Sequence, residues 1–495
     1  MGNNKSILEY ILFHADHDPD KLAVADIKSS ISYGGLLRSI KSVASYLMKN
    51  GLARGDVVGI RATQEIDFVA AFYGVQYMGG IACPIEKTAS AERTQEILNQ
   101  VSAACMLEAN QKSDICTNCL ILSDACNYPV DVVSMADLSE KEVSNIIFTT
   151  GTTGKSKGIL ISYQADKAIA ENVIDSVEMK ENEVELITSP CNHSLAIRRI
   201  NTAMLLGSTA ILTQKYMLYD NLWGIIEKYG VTAITFVPSV LKLVLEVYKD
   251  KISEYDAQLN YVQISSAPLY SDLQETLHNL LPTTRLYNIY GTTESGCTLS
   301  YEFSRFGCKT GCIGRPTINT VIHFEDKERD KYVDSIDEET AGYLAFEGNM
   351  NMVGYLADAD QTEKVLKNGI VHTNDIGYMS EGFVYILGRE GEVINCGGLK
   401  VCPDEIEQVA NRIDGISDSA CVPMVDKIRG EVPVLYIETA SKGTKDISEK
   451  EVKEYLKRYL EDYKVPVRVK RIDKIPRTFN GKIMRRKLMD SMKEE

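Results

Sequence analysis

Residues Ile146 to Leu160 read Ile-Ile-Phe-Thr-Thr-Gly-Thr-Thr-Gly-Lys-Ser-Lys-Gly-Ile-Leu. An apolar, β-prone run ends abruptly in a stretch of Gly, Thr and Lys, and the chain then becomes apolar again. The glycines let backbone N–H groups turn inward without a clash from Cβ. Amide, hydroxyl and ammonium donors that converge on one point suit the oxygens of a phosphate. The stretch therefore predicts a phosphate-binding loop at the end of a strand.

This loop does not have the pattern of a Walker A motif. That motif needs Gly, four residues and then Gly-Lys-Ser/Thr. Gly154, Lys155 and Ser156 supply its end, but Thr149 stands at the position of the first Gly. A surface loop without a ligand is the alternative interpretation, and the rest of the chain has to decide between the two.

Composition excludes several classes of function. The 495 residues predict about three folding units. A formal net charge of −15 disfavours nucleic acid or an anionic membrane as the main partner. No apolar run reaches the length of a membrane span, and no signal pattern begins the chain. The 12 scattered cysteines indicate reduced thiols and a cytoplasmic protein. Cys116 and Cys119 have zinc-like spacing but no second tight pair and no adjacent His.

Strand and helix candidates alternate along most of the chain. Asp56–Ile60 predicts a strand, Phe68–Met78 a helix and Ile81–Ile85 a strand, and the alternation repeats after the phosphate loop. Such alternation predicts parallel βαβ units that are covered on both faces. Two later strand candidates end near Ser265 and Tyr290, each before a loop rich in polar residues. Ligands bind beyond the carboxyl ends of parallel strands, so we expect one shared site there.

The last third of the chain changes character. From about Gly311, short strands with turns predict a small β-barrel-like unit. The polar, Gly-rich segment at 388–392 predicts a domain boundary. The predicted fold is α/β: a large N-terminal domain (1–388) of doubly wound parallel βαβ subdomains plus the β unit, a hinge (389–391), and a small α+β C-terminal domain (392–495).

The phosphate loop closely resembles Thr-Ser-Gly-Thr-Thr-Gly-x-Pro-Lys-Gly of the adenylate-forming superfamily, with Thr150 and Ser156 replacing Ser and Pro. That superfamily includes acyl-CoA synthetases, peptide-synthetase adenylation domains and luciferases. The resemblance extends from about Ile31 to Leu488. It implies that the loop holds the phosphates of ATP through Thr149, Thr150, Gly151, Thr152, Thr153, Gly154 and Lys157. It also implies that the C-terminal domain is a mobile lid.

Further segments resemble the nucleotide-binding motifs of that superfamily. Ser266-Ala267-Pro268 resembles a segment that lines adenine, and Tyr290-Gly291-Thr292-Thr293-Glu294 closely matches Tyr-Gly-x-Thr-Glu. The resemblance implies that Tyr290 stacks on adenine, Thr293 contacts the α-phosphate and Glu294 holds Mg²⁺. A carboxylate is a suitable hard ligand for Mg²⁺ between phosphates. Asp375, in a motif where Asn374 replaces Gly, would accept from both ribose hydroxyls.

The C-terminal motifs follow in the order expected of the superfamily. Arg389 would bind ribose or phosphate oxygens, and Glu390 and Gly391 would form the hinge, although the superfamily often has Asp or Lys where this chain has Gly391. Gly397, Gly398 and Leu399 resemble the segment that forms the thiol channel. Lys482 resembles the adenylation lysine. For Arg485, Arg486 and Lys487 we predict a solvated basic tail.

The identity of the acid is the least determined feature. By the resemblance, the acyl pocket contains Asn192, His193, Val237, Gly296 and Cys297, with His193 beside the reacting group. No Asp follows at the position that binds an α-amine in peptide-synthetase domains, which argues against an amino acid. Arg198 and Arg199 could bind an anionic tail, but a solvated or salt-bridged helix face is the preferred interpretation.

The sequence thus predicts an acid–thiol ligase that converts a carboxylate, ATP and coenzyme A to acyl-CoA, AMP and pyrophosphate, with Mg²⁺ as cofactor. Lys482 would stabilise the negative charge that builds at the α-phosphate. One alternative is a stand-alone adenylating enzyme that loads a carrier-protein phosphopantetheine in trans. Another is a non-catalytic nucleotide-binding or regulatory homologue. We expect neither nucleic acid binding nor stable membrane insertion.

Overall fold

The computed structural model describes residues 5–109, 118–131, 133–149, 157–213, 222–326, 328–390, 392–396, 399–439, 447–477 and 482–492. The predicted phosphate contacts of residues 150–154 lie outside the described residues, as do the predictions for Gly391, Gly397, Gly398 and Cys116. Within the described part, no helix is both long enough and apolar enough to cross a bilayer.

The strands fall into three sheets. In chain order they are β1 Leu22–Ala25, β2 Ser30–Ser32, β3 Val57–Ala62, β4 Ile81–Glu86, β5 Cys105–Glu108, β6 Cys119–Ile121, β7 Val143–Thr149, β8 Lys157–Ser162, β9 Val184–Ile187, β10 Thr209–Leu212, β11 Ala233–Phe236, β12 Tyr261–Ser265, β13 Arg285–Tyr290, β14 Leu299–Glu302, β15 Cys312–Pro316, β16 Val321–Glu325, β17 Gly342–Glu347, β18 Gly354–Tyr355, β19 Leu366–Lys367, β20 Ile370–Ser380, β21 Phe383–Arg389, β22 Ile394–Cys396, β23 Leu399–Val401, β24 Ile416–Asp426, β25 Gly430–Thr439 and β26 Arg468–Arg471.

Helices connect or flank these strands. They are α1 Ile7–His17, α2 Tyr33–Lys49, α3 Ile66–Tyr77, α4 Ala91–Gln100, α5 Leu122–Cys126, α6 Tyr163–Ser176, α7 Ser194–Leu206, α8 Leu222–Tyr229, α9 Pro238–Tyr248, α10 Ser271–Leu280, α11 Phe303–Phe306, α12 Ala359–Val365, α13 Pro403–Ala410, α14 Glu449–Leu456 and α15 Arg485–Ser491. A 3-10 helix spans Lys251–Tyr255.

Two large sheets form the N-terminal part, which confirms the predicted α/β fold. The first has the order β18-β8-β7-β4-β3-β5-β6 and is parallel from β7 to β6. The second contains a parallel run from β1 through β10, β9, β11 and β12 to β13. The short strands predicted after Gly311 are an antiparallel group, β16-β17-β20-β21-β15, which joins the parallel run through β14.

Helix α3 shows why the helices lie where they do. Every residue of α3 except Asp67 is buried, and a helix that is apolar on all sides requires packing partners on all sides. One apolar core accordingly contains residues of α1, α2, α3 and α7 together with strands of both sheets. Gly74 permits the close approach of α2, since a Cβ at this position would lie 2.5 Å from the Cβ of Val43.

A buried carboxyl group connects α6 to β7 and α7 by hydrogen bonds. Asp166 on α6 accepts hydrogen bonds from Ser144 and Asn145 on β7 (2.6 and 2.8 Å) and from Asn201 on α7 (2.9 Å). It forms no ion pair within the described residues. Burial raises the pKa of Asp166 from its ordinary 3.8 to about 7, although these hydrogen bonds oppose the shift.

This pKa predicts a pH dependence of stability. Between about pH 4 and 7 the folded protein binds a proton at Asp166 that the unfolded chain releases, so the free energy of unfolding falls as the pH rises through that window. In denaturant unfolding experiments, the free energy of unfolding of Asp166→Asn should fall less steeply with rising pH than that of the wild type. Asp175→Asn, on the exposed side of the same helix, is the control and should keep the wild-type slope. Equal slopes in all three proteins would contradict the assignment.

The C-terminal part has its own sheet and core. Its strands have the order β23-β22-β25-β24, with β26 parallel to β25, and α13 and α14 contribute to its core. The prediction of a solvated tail is wrong for Arg485. This residue lies in α15, is 8% exposed and pairs with Asp404 and Glu407 at 2.5 and 2.7 Å. A buried guanidinium needs such partners, and α13 supplies them.

Candidate active site

The ends of β12 and β13 form one edge, as predicted for parallel neighbours. Ser265 donates to the carbonyl of Ile289 at 2.7 Å across the two strands. Ser266, Ala267 and Pro268 follow β12, and Ser266 takes a positive φ of 79°. After β13 the chain turns tightly, because a Cβ on Gly291 would lie 1.9 Å from the carbonyl oxygen of Gly296. Only glycine fits this position.

Two of the predicted nucleotide-binding residues contact a third, Asp375. Its carboxylate accepts from the Tyr290 hydroxyl and from Nε of Arg389, the latter at 2.6 Å. Asp375 is 3% exposed and faces Arg389 across the β20–β21 pair. The charge of Asp375 raises the pKa of Arg389, and burial together with the same carboxylate raises the pKa of Tyr290. A neutral phenol and a guanidinium therefore flank one buried carboxylate.

Glu294 lies beside the hairpin that carries the phosphate loop. Its Oε1 accepts from the Tyr355 hydroxyl at 2.8 Å, and its carbonyl accepts from the amide of Met352 at 2.8 Å. The ammonium of Lys157, at the start of β8, lies 5.1 Å from the centre of the Tyr355 ring. No motif in the sequence pointed to Tyr355, which belongs to the two-residue strand β18 and reaches Glu294 only because β18 pairs with β8.

Removal of the Tyr355 hydroxyl should lower the catalytic efficiency with ATP. In Tyr355→Phe, the carboxylate of Glu294 loses the hydrogen bond that it accepts from the hydroxyl. We expect kcat/KM for ATP to fall about 10-fold. The measurement is pyrophosphate release over a range of ATP and Mg²⁺ concentrations. Tyr332→Phe is the control, because Tyr332 is half exposed and does not contact Glu294. Wild-type kinetics in Tyr355→Phe would show that Glu294 needs no such support.

Lys482 reaches this site from the C-terminal part. A backbone bridge joins Arg477 and Ile483, and the amide of Met484 donates to the carbonyl of Pro476 at 2.8 Å, so the two ends of the Lys482 segment are fixed. The Lys482 side chain is exposed to solvent, but the protein atoms around its ammonium lower its pKa. Arg389 lowers it further, and the charges of Asp375 and Glu294 oppose that effect. Lys482 is thus within electrostatic range of all three groups.

Contacts between the start of α10 and the segment that contains and follows α13 maintain this arrangement. Tyr270 donates to Glu407 at 3.0 Å, and Asp272 pairs with Arg412 at 2.7 Å. Glu407 is fully buried. The sequence did not predict these contacts, because they depend on how the C-terminal part packs against α10.

The predicted hinge residue Glu390 has several partners. It accepts from Nη2 of Arg329 at 3.2 Å and from the Tyr343 hydroxyl at 3.0 Å, and its amide donates to the carbonyl of Asn374 at 2.7 Å. Arg329 also donates to the side chain of Asn374 at 2.9 Å. Rotation about Glu390 would have to change these contacts. Leu399, predicted for the thiol channel, is 48% exposed on β23.

The residues predicted for the acyl pocket are only partly brought together. His193 precedes α7, and burial lowers its pKa, which favours the neutral imidazole. The hydroxyls of Ser194 and Thr293 lie 3.3 Å apart, so the start of α7 adjoins the turn after β13. Gly296 and the buried Cys297 continue that turn. Asn192 is half-buried next to His193, whereas Val237 packs against a different apolar core.

The two arginines of α7 have different environments. Arg199 is fully buried, and its Nε bonds Glu185 at 2.6 Å, its Nη1 bonds Gln263 at 2.9 Å and its Nη2 bonds Tyr261 at 2.8 Å. Of the two alternatives predicted for this helix face, solvated or salt-bridged, Arg199 has the salt-bridged one, and it is buried. Arg198 instead donates to the carbonyl of Thr292 in the turn after β13.

Comparison with known proteins finds relatives along nearly the whole chain. The profile of the AMP-binding enzymes matches residues 13–356, and that of the AMP-binding enzyme C-terminal domain matches residues 405–482. The chain is 25% identical to a 2-succinylbenzoate–CoA ligase of Bacillus cereus, over 96% of this chain and 97% of that one. It is 27% identical to a 4-coumarate–CoA ligase of Narcissus pseudonarcissus, over 93% and 88% of the two chains.

A solved structure shares the whole fold. The o-succinylbenzoate CoA synthetase MenE from Bacillus subtilis, in complex with the acyl-adenylate OSB-AMP, superposes with a TM-score of 0.85 at 22% identity and covers 97% of both chains. That enzyme has also been solved with ATP and a magnesium ion. Ligases of this type use ATP, Mg²⁺ and coenzyme A. The chain belongs to the family of AMP-binding enzymes, and within that family it is an acid–thiol ligase.

Proposed function

We propose that the protein joins a small carboxylic acid to coenzyme A through an acyl-adenylate. The observation that supports this most strongly is that Asp375 pairs with Arg389 beside Tyr290 at the end of β13, and that both charges act on Lys482 together with that of Glu294. These residues come from distant parts of the chain, and together they offer the charges that adenylate formation requires. Ser266, Ala267, Pro268 and Gly291 would line the adenine, and Tyr290 would stack on it.

The first half-reaction follows from these charges. A carboxylate oxygen attacks the α-phosphorus of ATP, an O–P bond forms, and the bond to pyrophosphate breaks. Thr293 and Lys482 would stabilise the negative charge on the α-phosphate, while Thr149 and Lys157 would hold the outer phosphates with loop residues 150–154. Asp375 and Arg389 would bind ribose oxygens. The Tyr290 hydroxyl, now bonded to Asp375, would keep that carboxylate aligned.

Glu294 fits the magnesium ion that such chemistry employs. Within the described residues there is no group of three His, Cys, Asp or Glu side chains that could enclose a metal. A single carboxylate beside a phosphate loop suits Mg²⁺, which usually takes one or two protein carboxylates and completes its shell with phosphates and water. The ion would neutralise charge on the phosphates.

The second half-reaction needs a change at the hinge. The thiol of coenzyme A attacks the acyl carbon, the thioester bond forms, and AMP leaves. We propose that rotation about residues 389–391 withdraws Lys482 and brings 397–399 to the adenylate. Glu390 supports this proposal, because its bonds to Arg329 and Tyr343 hold the hinge in its present state. A domain division at 1–388 and 392–495 accords with this rotation.

Two other functions remain to be separated from this one. A carrier-protein phosphopantetheine presented in trans could replace coenzyme A, and a regulatory homologue could bind nucleotide without turnover. The set of Lys482, Glu294, Asp375 and Arg389 favours turnover. The CoA ligases among the relatives favour coenzyme A as the acceptor. We also propose that the enzyme acts in the cytoplasm, which the many free thiols support.

A pyrophosphate assay over a panel of acids tests the proposal. The panel contains aliphatic acids, aryl acids, dicarboxylates and amino acids, each with ATP and Mg²⁺ and each with and without coenzyme A. A signal that rises sharply with coenzyme A supports the ligase. A small signal that does not change when coenzyme A is added favours a carrier protein as the thiol acceptor. Binding of ATP without any pyrophosphate release would contradict catalysis and favour a regulatory protein.

A further inference from the structure

The guanidinium of Arg198 has N–H donors that no described hydrogen bond uses. Of its five N–H donors, the described contacts engage only one nitrogen, in the bond to the carbonyl of Thr292. The side chain is only partly buried. No carboxylate in the described ranges forms an ion pair with Arg198, although the charges of Glu294 and Asp166 act on it from farther away.

The neighbouring Arg199 shows what a purely structural arginine looks like in this fold. Its guanidinium is closed off from solvent and saturated by Glu185, Gln263 and Tyr261. Arg198 is one residue away on α7, yet it turns to the other side, toward Thr292 and the hydroxyls of Ser194 and Thr293. Holding one backbone carbonyl does not need a charged group, and a cation that is partly removed from water without a counter-ion in contact loses part of its hydration energy. An anion brought by the substrate would offset that cost.

From this contrast we propose that Arg198 binds a second anionic group of the acid substrate, so that the enzyme activates one carboxyl group of a short dicarboxylate. This rests on the proposed function, because it names the substrate class of the same site. One carboxylate would attack the α-phosphate near Thr293, and the other would stay ionised against Arg198. His193 and Cys297, both uncharged at neutral pH, would complete the pocket without competing for the anion.

The spacing limits the substrate to short acids. Arg198 bonds Thr292, and the next residue is Thr293, whose hydroxyl would lie at the α-phosphate. Consecutive Cα atoms are about 3.8 Å apart, so the carbonyl that Arg198 bonds and the residue that would face the α-phosphate are close neighbours, and a short linker would bridge two anionic groups placed there. Arginine binds carboxylates through two parallel N–H···O bonds, and its unused donors allow this geometry.

The test compares matched pairs of acids. Pyrophosphate release is measured with succinate, glutarate, adipate and phthalate and with the corresponding monoacids butanoate, pentanoate, hexanoate and benzoate, with ATP, Mg²⁺ and coenzyme A. The wild type should prefer at least one diacid. In Arg198→Gln the ratio of kcat/KM for the diacid to that for its monoacid should fall about 10- to 100-fold. Arg198→Lys should retain part of this ratio, because lysine keeps the positive charge but cannot form two parallel hydrogen bonds to one carboxylate.

Controls separate this role from a structural one. Arg305→Gln, at an exposed position of α11, should keep the wild-type ratio, and binding of AMP to each variant checks that the site is folded. An equal loss of kcat/KM for the diacid and the monoacid in Arg198→Gln would overturn the proposal and leave Arg198 as support for the turn. A wild-type preference for every monoacid would overturn it while the ligase function stands. No pyrophosphate from any acid would count against both.

Discussion

Replacement of Lys482 by Ala should lower the rate of adenylate formation by about 10²- to 10³-fold, which is the effect expected when a preorganised donor to a developing charge is lost. The structure supports so large an effect because Lys482 is close enough to Arg389, Asp375 and Glu294 for each to influence its pKa. Desolvation by the surrounding protein atoms lowers the pKa of Lys482 from its ordinary value, and the carboxylates of Asp375 and Glu294 oppose that shift. Pyrophosphate release with saturating acid and ATP is the measurement.

The same variant distinguishes the two half-reactions. If the rotation about the hinge withdraws Lys482 after adenylation, Lys482→Ala should convert a preformed acyl-adenylate and coenzyme A to the thioester at close to the wild-type rate. Lys487→Ala is the matched control, since Lys487 is exposed on α15 and should have no effect on either step. Equal losses in both half-reactions would instead assign Lys482 a role in folding or domain placement.

Asp375→Asn should raise the KM for ATP by about 10- to 100-fold, the second largest effect that we expect. The substitution preserves shape but removes the charge that Arg389 and the Tyr290 hydroxyl now share. An amide also offers one acceptor where the ribose hydroxyls would find two. The effect should appear in the binding of AMP as well, which calorimetry measures without turnover.

Control measurements for Asp375 follow from its burial. Asp360→Asn, at an exposed position of α12, should leave the KM for ATP unchanged. Because Arg389 would lose its partner, the thermal stability of Asp375→Asn should be measured alongside its kinetics. A large loss of stability with unchanged affinity for AMP would show that the Asp375–Arg389 pair is structural, and would remove Asp375 from the nucleotide site.

Motifs with fixed spacing could be predicted from the sequence because their chemistry is local. Tyr290-Gly291-Thr292-Thr293-Glu294 follows an apolar strand, and Gly291 is required by a turn that only neighbouring residues form. The alternation of strands and helices from β3 to β13 is also local in origin, and it predicted which loops share an edge. Helix and strand positions around Phe68–Met78 and Ala233–Val237 agree with the structure to within a few residues.

The burial and the partners of single charged residues could not be predicted from the sequence. Arg198 and Arg199 are adjacent and chemically identical, yet one is saturated by Glu185, Gln263 and Tyr261 while the other faces the turn after β13. Arg485 likewise was assigned to solvent and is buried by α13. In each case the partner lies far away in the chain, so its presence depends on tertiary packing.

The sequence by itself determined the fold class, the order of the motifs and the family, since these follow from periodicity and from short segments whose residues act together. Tertiary structure alone decided that Tyr355 supports Glu294, that Glu390 is held by Arg329, and that Arg198 bonds the carbonyl of Thr292. The physical reason is that burial and hydrogen-bond partners of a side chain are set by whichever distant elements pack beside it, and no local pattern records them.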